Sequence, residues 1–289
     1  MDTNAVLDYS RTKQGRACVL MQNGVVVGQE GQNGFALTSS WDIESGSKSF
    51  CGVIALQLIA DGLITSLDAK VADVITEWQG VSAQKDACTV RRLLCLTSGL
   101  APGATGSNPT YQTSINALMP IAQVGKFRYG PNPFGVFGMY VNRLVQPLGF
   151  ADAVDYLRQK VLTPAGITVA SWDYVAAGQP HLAGGAHLAC PEWAKYGEYL
   201  RNTDITVLTA AGPDYAAYGV NFWRWFGDSA KLIAGDLTGS QPMLGNGYMA
   251  AGANNQRLVI IPDKGIVCAR FGVADATWSD AAFVGLLFQ

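Results

Sequence analysis

The sequence has very little histidine. His181 and His187 are the only two among 289 residues. A zinc site built from several imidazoles is therefore nearly excluded, and a Ser-His-Asp triad would have to recruit one of these two. Charge is also scarce: Asp, Glu, Lys and Arg make up 15% of the chain, against about 25% in an average domain. Twenty cations against 22 anions leave a formal net charge of -2. That balance offers no electrostatic footprint for nucleic acid or an anionic membrane surface. No stretch reaches the ~20 apolar residues of a membrane span; the best run, residues 50–60, already contains Gln57. The first residues carry neither a basic segment nor an apolar one, which fits an intracellular chain or one whose leader has been trimmed. No G-x-S-x-G elbow, P-loop or H-E-x-x-H occurs, so the hydrolase, NTPase and metalloprotease classes built on them lose their usual anchors. Cys18, Cys51, Cys88, Cys95, Cys190 and Cys268 include no C-x-x-C pair and several sit in apolar company. They are expected to be free, buried thiols.

What is present is enough apolar sequence, 49%, for a sizeable core. Residues 17–22 and 25–29 flank Asn23-Gly24, a type I′ hairpin signal. Residues 257–261 and 266–271 flank a second turn beginning at Pro262. Helices are expected over residues 48–61, 90–96, 134–146, 151–161 and 191–201, with a terminal one led by a Ser279 cap. The two ends thus read as β and the middle as α. The expected fold is α/β (α+β): an antiparallel sheet from both termini, flanked by helices, with a mainly helical region inserted. Residues 1–50 and 205–289 are expected to form a discontinuous α/β domain and residues 51–204 a helical one, with the active site at their junction.

The segment around Ser45 carries the clearest chemistry. Phe50, Cys51, Val53, Ile54, Ala55, Leu56, Leu58 and Ile59 make the following helix apolar on nearly every side, so its N-terminus is expected to open inside the protein or at a cleft floor. Ser45 alone reads as an N-cap. Lys48 is harder to explain structurally, because a helix N-terminus disfavours a cation and burial disfavours its charge. Both effects favour the neutral amine, on the same face as the serine three residues earlier, which is what activation of a serine without histidine needs. Ser10–Lys13 and Ser82–Lys85 match S-x-x-K as well; their polar surroundings predict ordinary solvated lysines. On the residues alone, a capped buried helix and an activated nucleophile remain equal readings.

Taken together, the motifs resemble a known family. Ser45-Gly-Ser-Lys48-Ser-Phe50 with its apolar helix is similar to the serine β-lactamase and penicillin-binding-protein superfamily. The class C-like branch, which includes family VIII carboxylesterases and 6-aminohexanoate-dimer hydrolases, is the better match. Residues 90–100 resemble that branch's second landmark, with Leu96 where a histidine is common. Tyr129-Gly-Pro-Asn132 resembles its Y-x-N segment, residues 183–187 its glycine loop, and residues 251–262 its last strand motif. The resemblance implies Ser45 as acylated nucleophile, Lys48 as its base and Tyr129 as the second proton-transfer group. It also implies an oxyanion hole from the backbone N–H groups of Ser45 and Ala253, substrate-binding roles for Asn132 and Gly252, and no cofactor or metal.

Two departures shape the expected substrate. Pro131 occupies the third place of Y-x-N, putting Asn132 one position late. Ala250-Ala251-Gly252 replaces K-T-G, so the polar groups that would hold a substrate carboxylate are missing. An uncharged small ester is the expected substrate, hydrolysed through an acyl-enzyme. A β-lactamase, D-Ala-peptidase or amide-oligomer hydrolase stays open, with Arg257 compensating or simply facing solvent. So does a non-catalytic penicillin-binding-like sensor. His181 and His187 are expected in loops or walls, and Trp172, Trp223 and Trp225 in the core or an acyl pocket.

Overall fold

The computed structural model describes residues 1–289. The principal helices are α1 (Thr3–Thr12), α2 (Ser49–Ala60), α3 (Asn132–Val145), α4 (Cys190–Asn202) and α5 (Asp280–Phe288). Five strands, β1 (Gly15–Gln22), β2 (Val25–Gly31), β3 (Tyr248–Gly252), β4 (Gln256–Ile261) and β5 (Ile266–Gly272), form one antiparallel sheet. Its spatial order is β3-β4-β5-β1-β2, so the two ends of the chain meet in its middle.

The hairpins form where turn chemistry demands them. Asn23 and Gly24 both take positive φ, 50° and 81°, as a type I′ turn requires. Pro262 opens a 3₁₀ turn that Gly265 closes in the left-handed region. Every residue of β4 and β5 is buried, the pattern of central strands covered on both faces. Successive side chains of β4 go to opposite layers. Arg257 meets Asp280 of α5, whereas a Cβ on Gly197 of α4 would lie 2.8 Å from Leu258. The absence of a side chain at Gly197 is what lets α4 approach the sheet.

α2 is the central helix of the inserted region, with Phe50, Cys51, Val53, Ile54, Ala55 and Leu58 buried. A small sheet sits beside its start, with Ala186–Ala189 between Ser40–Asp42 and Ser171–Trp172. Its pairing of Asp42 with His187 brings the 181–185 loop alongside the Ser45 turn. No helix is long and apolar enough to cross a membrane. All six cysteines are free and buried.

Several expectations need correction. The N-terminal end is not all β: α1 precedes β1, its first turn capped by the Asp2 carboxylate on the Ala5 N–H. The helix begun at Val90 stops at Leu94, and Leu96 lies at φ 62°. Ser45 is no N-cap; it lies inside a 3₁₀ turn, Glu44–Lys48, that leads into α2. Lys85 is not solvated either. It is buried over the Trp78 ring, with its Nζ donating to the Ile115 carbonyl. Ser82 spends its side chain as a cap on the Lys85 N–H.

Candidate active site

The Ser45 turn is fixed from both sides. The Asp42 carboxylate accepts the Glu44 N–H at 2.6 Å, and Glu44 is held at φ 53°, a backbone state that costs a non-glycine residue free energy. In the 3₁₀ turn that follows, residues three apart eclipse one another. This is why Ser45 Oγ and Lys48 Nζ stand 2.9 Å apart, closer to superposition than an α-helix would place them. Ser47 Oγ donates to the Glu44 carbonyl and accepts the Ala186 N–H, tying the turn to the small sheet.

Lys48 is 5% exposed, and none of its contacts is a salt bridge. Its Nζ reaches Ser45 Oγ and the Ala183 carbonyl, 2.6 Å away. The Tyr129 and Phe134 rings lie beside it, centroids at 4.8 and 5.2 Å. His181 shares this corner. Burial and the neighbouring Lys48 charge push its imidazole down to about 4, against a smaller opposing pull from Asp173. The ring is therefore neutral at pH 7.

Tyr129 is positioned by its loop. The Leu96 carbonyl accepts the Arg128 N–H and the Thr97 carbonyl that of Gly125. A Cβ on Gly130 would come within 2.3 Å of the Pro102 carbonyl. Asn132, at the start of α3, completes the tether: its side chain donates to the Ala101 carbonyl and accepts from Ser114, and its N–H goes to Pro102. Asn132 lines neither cavity at Ser45. Its amide is used by the loop.

The end of β3 closes the other side. A Cβ on Gly252 would lie 2.2 Å from the Ile43 carbonyl, so only glycine allows the strand to touch the Ser45 turn. Gly252 and Ala253 both line the cavity that contains Ser45. Ser45 is the second residue of one 3₁₀ turn and Ala253 the first of another, positions whose N–H groups lack acceptors within the turn. Asn254 Nδ2 donates to Glu44 at 3.2 Å, a second link between strand end and turn. Arg257 does not face solvent. It is 4% exposed and makes a forked pair with Asp280, Nε and Nη2 lying 2.7 and 3.0 Å from the two carboxylate oxygens. Its Nη1 donates to the Gly252 and Gln256 carbonyls.

Ser45, Tyr129 and Thr105 stand at the seam of two cavities. One, of about 240 Å³, is mainly apolar, with Trp223, Leu232, Ile233, Met249 and Ala251 in its wall. The other, of about 190 Å³, is polar and holds Asp42, Glu44, Lys48, Asp173 and His181. Burial raises the carboxyls of Asp42 and Glu44 above their ordinary range, partly offset by hydrogen bonds from the Glu44 N–H and Asn254 respectively. Lys48 and Arg257 are the only lysine and arginine on these walls, and both are engaged by protein groups.

Of the residues singled out in the sequence, Ser45, Lys48, Tyr129, Gly252 and Ala253 converge here, and Asn132 stands behind Tyr129. Trp223 borders the apolar cavity, and His181, expected in a wall, is in one. Sequence reasoning missed Glu44 and the Arg257–Asp280 pair. The polar neighbours of Ser45 hinted at the first; nothing local announced the second, since its partners are 23 residues apart.

The family model called Beta-lactamase matches residues 9–269. No curated protein matches the chain in sequence. Among solved structures, a penicillin-binding protein homolog from Caulobacter crescentus superposes with a TM-score of 0.71 at 15% identity, covering 99% of this chain and 95% of its own. EstCE1, described as a hydrolase with promiscuous acyltransferase activity, gives 0.70 at 14%, covering 97% and 94%. A D-stereospecific amidohydrolase from a Streptomyces species gives 0.68 at 15%, covering 98% and 97%.

Proposed function

The chain belongs to the Beta-lactamase family, and from that premise we propose that it is a serine hydrolase acting on small uncharged carboxylic esters through an acyl-enzyme. The observation that carries this reading is the 2.9 Å contact between Ser45 Oγ and Lys48 Nζ, placed at the seam of an apolar and a polar cavity. Lys48 Nζ takes the hydroxyl proton while Ser45 Oγ adds to the ester carbonyl carbon. The carbonyl electron pair moves onto oxygen, to which the N–H groups of Ser45 and Ala253 donate hydrogen bonds. Collapse of this intermediate expels the alkoxide, which takes its proton through Tyr129. Water then hydrolyses the acyl-enzyme by the same steps in reverse roles.

The apolar cavity suits the acyl chain. Arg257 is committed to Asp280 and two carbonyls, which favours an uncharged substrate over one bearing a carboxylate. Gly252 serves by letting the strand reach the reacting carbonyl. We assign Asn132 to holding the Tyr129 loop. The test is labelling with a fluorophosphonate followed by peptide mapping, beside hydrolysis of short p-nitrophenyl esters and nitrocefin. Expected are an adduct on Ser45, faster ester than nitrocefin turnover, and a loss of at least about a thousandfold in Ser45→Ala. An unlabelled Ser45 with undiminished hydrolysis in Ser45→Ala would overturn the reading.

A further inference from the structure

We infer that Arg257, held by Asp280, is a positioning residue that orients the Gly252–Ala253 peptide so that its N–H faces the carbonyl oxygen of the substrate. The inference rests on the acyl-enzyme reading above and adds to it a device outside the reacting groups.

A planar trans peptide carries its C=O and N–H on opposite sides, and the chain has no cis bond. Fixing the Gly252 carbonyl therefore fixes the direction of the Ala253 N–H. Arg257 Nη1 donates to that carbonyl at 2.9 Å. A cationic donor on the carbonyl also polarises the peptide, making its N–H a stronger donor on the far side.

The loop needs such support. Asn254 and Asn255 lie at φ 55° and 63°, two consecutive non-glycine residues in the left-handed region, where each carries a steric penalty. Three carbonyls of this short turn are gripped by arginines. Arg257 takes those of Gly252 and Gln256, and Arg270 takes that of Asn255 at 2.7 Å. Arg257 is itself immobilised. Its fork to Asp280 is buried at both ends, and Trp278 Nε1 donates to the same carboxylate at 2.8 Å. β4 thus supplies the arginine, α5 the carboxylate, and β3 the peptide they aim.

Lysine cannot make the same set of contacts, because a single ammonium does not reach a carboxylate fork and two carbonyls together. Removing one partner alone would strand a buried charge, so the neutral double variant Arg257→Met/Asp280→Asn accompanies Arg257→Lys. The experiment measures ester kinetics per fluorophosphonate-titrated site, inhibition by phenylboronic acid, whose tetrahedral serine adduct mimics the oxyanion, and thermal melting. Both variants are expected to melt cooperatively and to label at Ser45. Their kcat should fall by about tenfold to a hundredfold with KM within about twofold, and boronate affinity should fall by the same factor as kcat/KM. Unchanged kcat per titrated site, whatever the melting temperature, overturns the proposal, as does a loss confined to KM. A wild-type protein whose Ser45 is neither labelled nor needed for hydrolysis overturns the acyl-enzyme reading, and this inference with it.

Discussion

At Lys48 and His181, two basic side chains share one buried corner with no carboxylate in ion-pair contact with Lys48. The rings of Tyr129 and Phe134 fill the rest. His181 yields: burial and Lys48 hold it neutral down to about pH 4. The consequence for stability has a definite sign. Between pH 6.5 and about 4 the unfolded chain binds a proton at this residue that the folded chain refuses. Stability is therefore full above pH 6.5 and falls as the pH drops towards 4. Water still screens part of the ring, so the loss by pH 4.5 should be on the order of 2 kcal/mol. Urea unfolding at pH 7 and 4.5 should show a smaller drop in His181→Gln than in the parent. Equal drops would mean that the imidazole is free to protonate in the folded state.

The elements around Ser45 work by close approach. The 3₁₀ turn eclipses Ser45 with Lys48, Asp42 fixes its entry, and β3 lies against it because Gly252 has no side chain. Gly252→Ala would push a Cβ against the Ile43 carbonyl and the Glu44 side chain, at 2.2 and 3.0 Å. Ile43 is buried, so turn and strand must separate. The expected cost is about 1–3 kcal/mol in stability, and hydrolysis should fall by about a hundredfold because reacting groups tolerate little displacement. Melting curves and kcat/KM measured on the same preparation check both. Wild-type kinetics in Gly252→Ala would show that contact between strand and turn is not needed. The loop carrying Tyr129 depends in the same way on Gly130 and Asn132, which explains why a residue resembling a ligand-binding asparagine makes only internal hydrogen bonds.

For the molecule as a whole, the sheet joins both chain ends, and a single continuous core runs from it through α2 and α3. The six cysteines lie inside that core or its margins. Burial raises the thiols of Cys88 and Cys95 to about 12, and those of Cys51, Cys190 and Cys268 are also pushed up. Native protein should therefore expose fewer than about one reactive thiol per chain to Ellman's reagent over minutes, and six after denaturation. Rapid native labelling would contradict the buried placement. Both hairpins, the course of α2 and α5, and the fate of the cysteines were legible in the sequence, because turn residues, helical periodicity and caps act over a few positions. α1 was not, since only Val6 and Ser10 of its residues are fully buried and its apolar signal is weak. Lys85 was misread because its covering ring, Trp78, and its acceptor, Ile115, are supplied by other segments.

The sequence by itself thus singled out Ser45 and Lys48 as the candidate pair: two other Ser–Lys pairs share the spacing, but only this one opens an apolar helix within a motif order that resembles a known family. It also determined that a carboxylate-binding K-T-G is missing, since that is a matter of residue identity. Only the tertiary structure decided that Arg257 is turned inward onto Asp280, that Asn132 serves its loop, and that His181 faces Lys48. These outcomes depend on which segments meet across the sheet and the cleft, and burial makes each polar group take whatever partner that meeting provides.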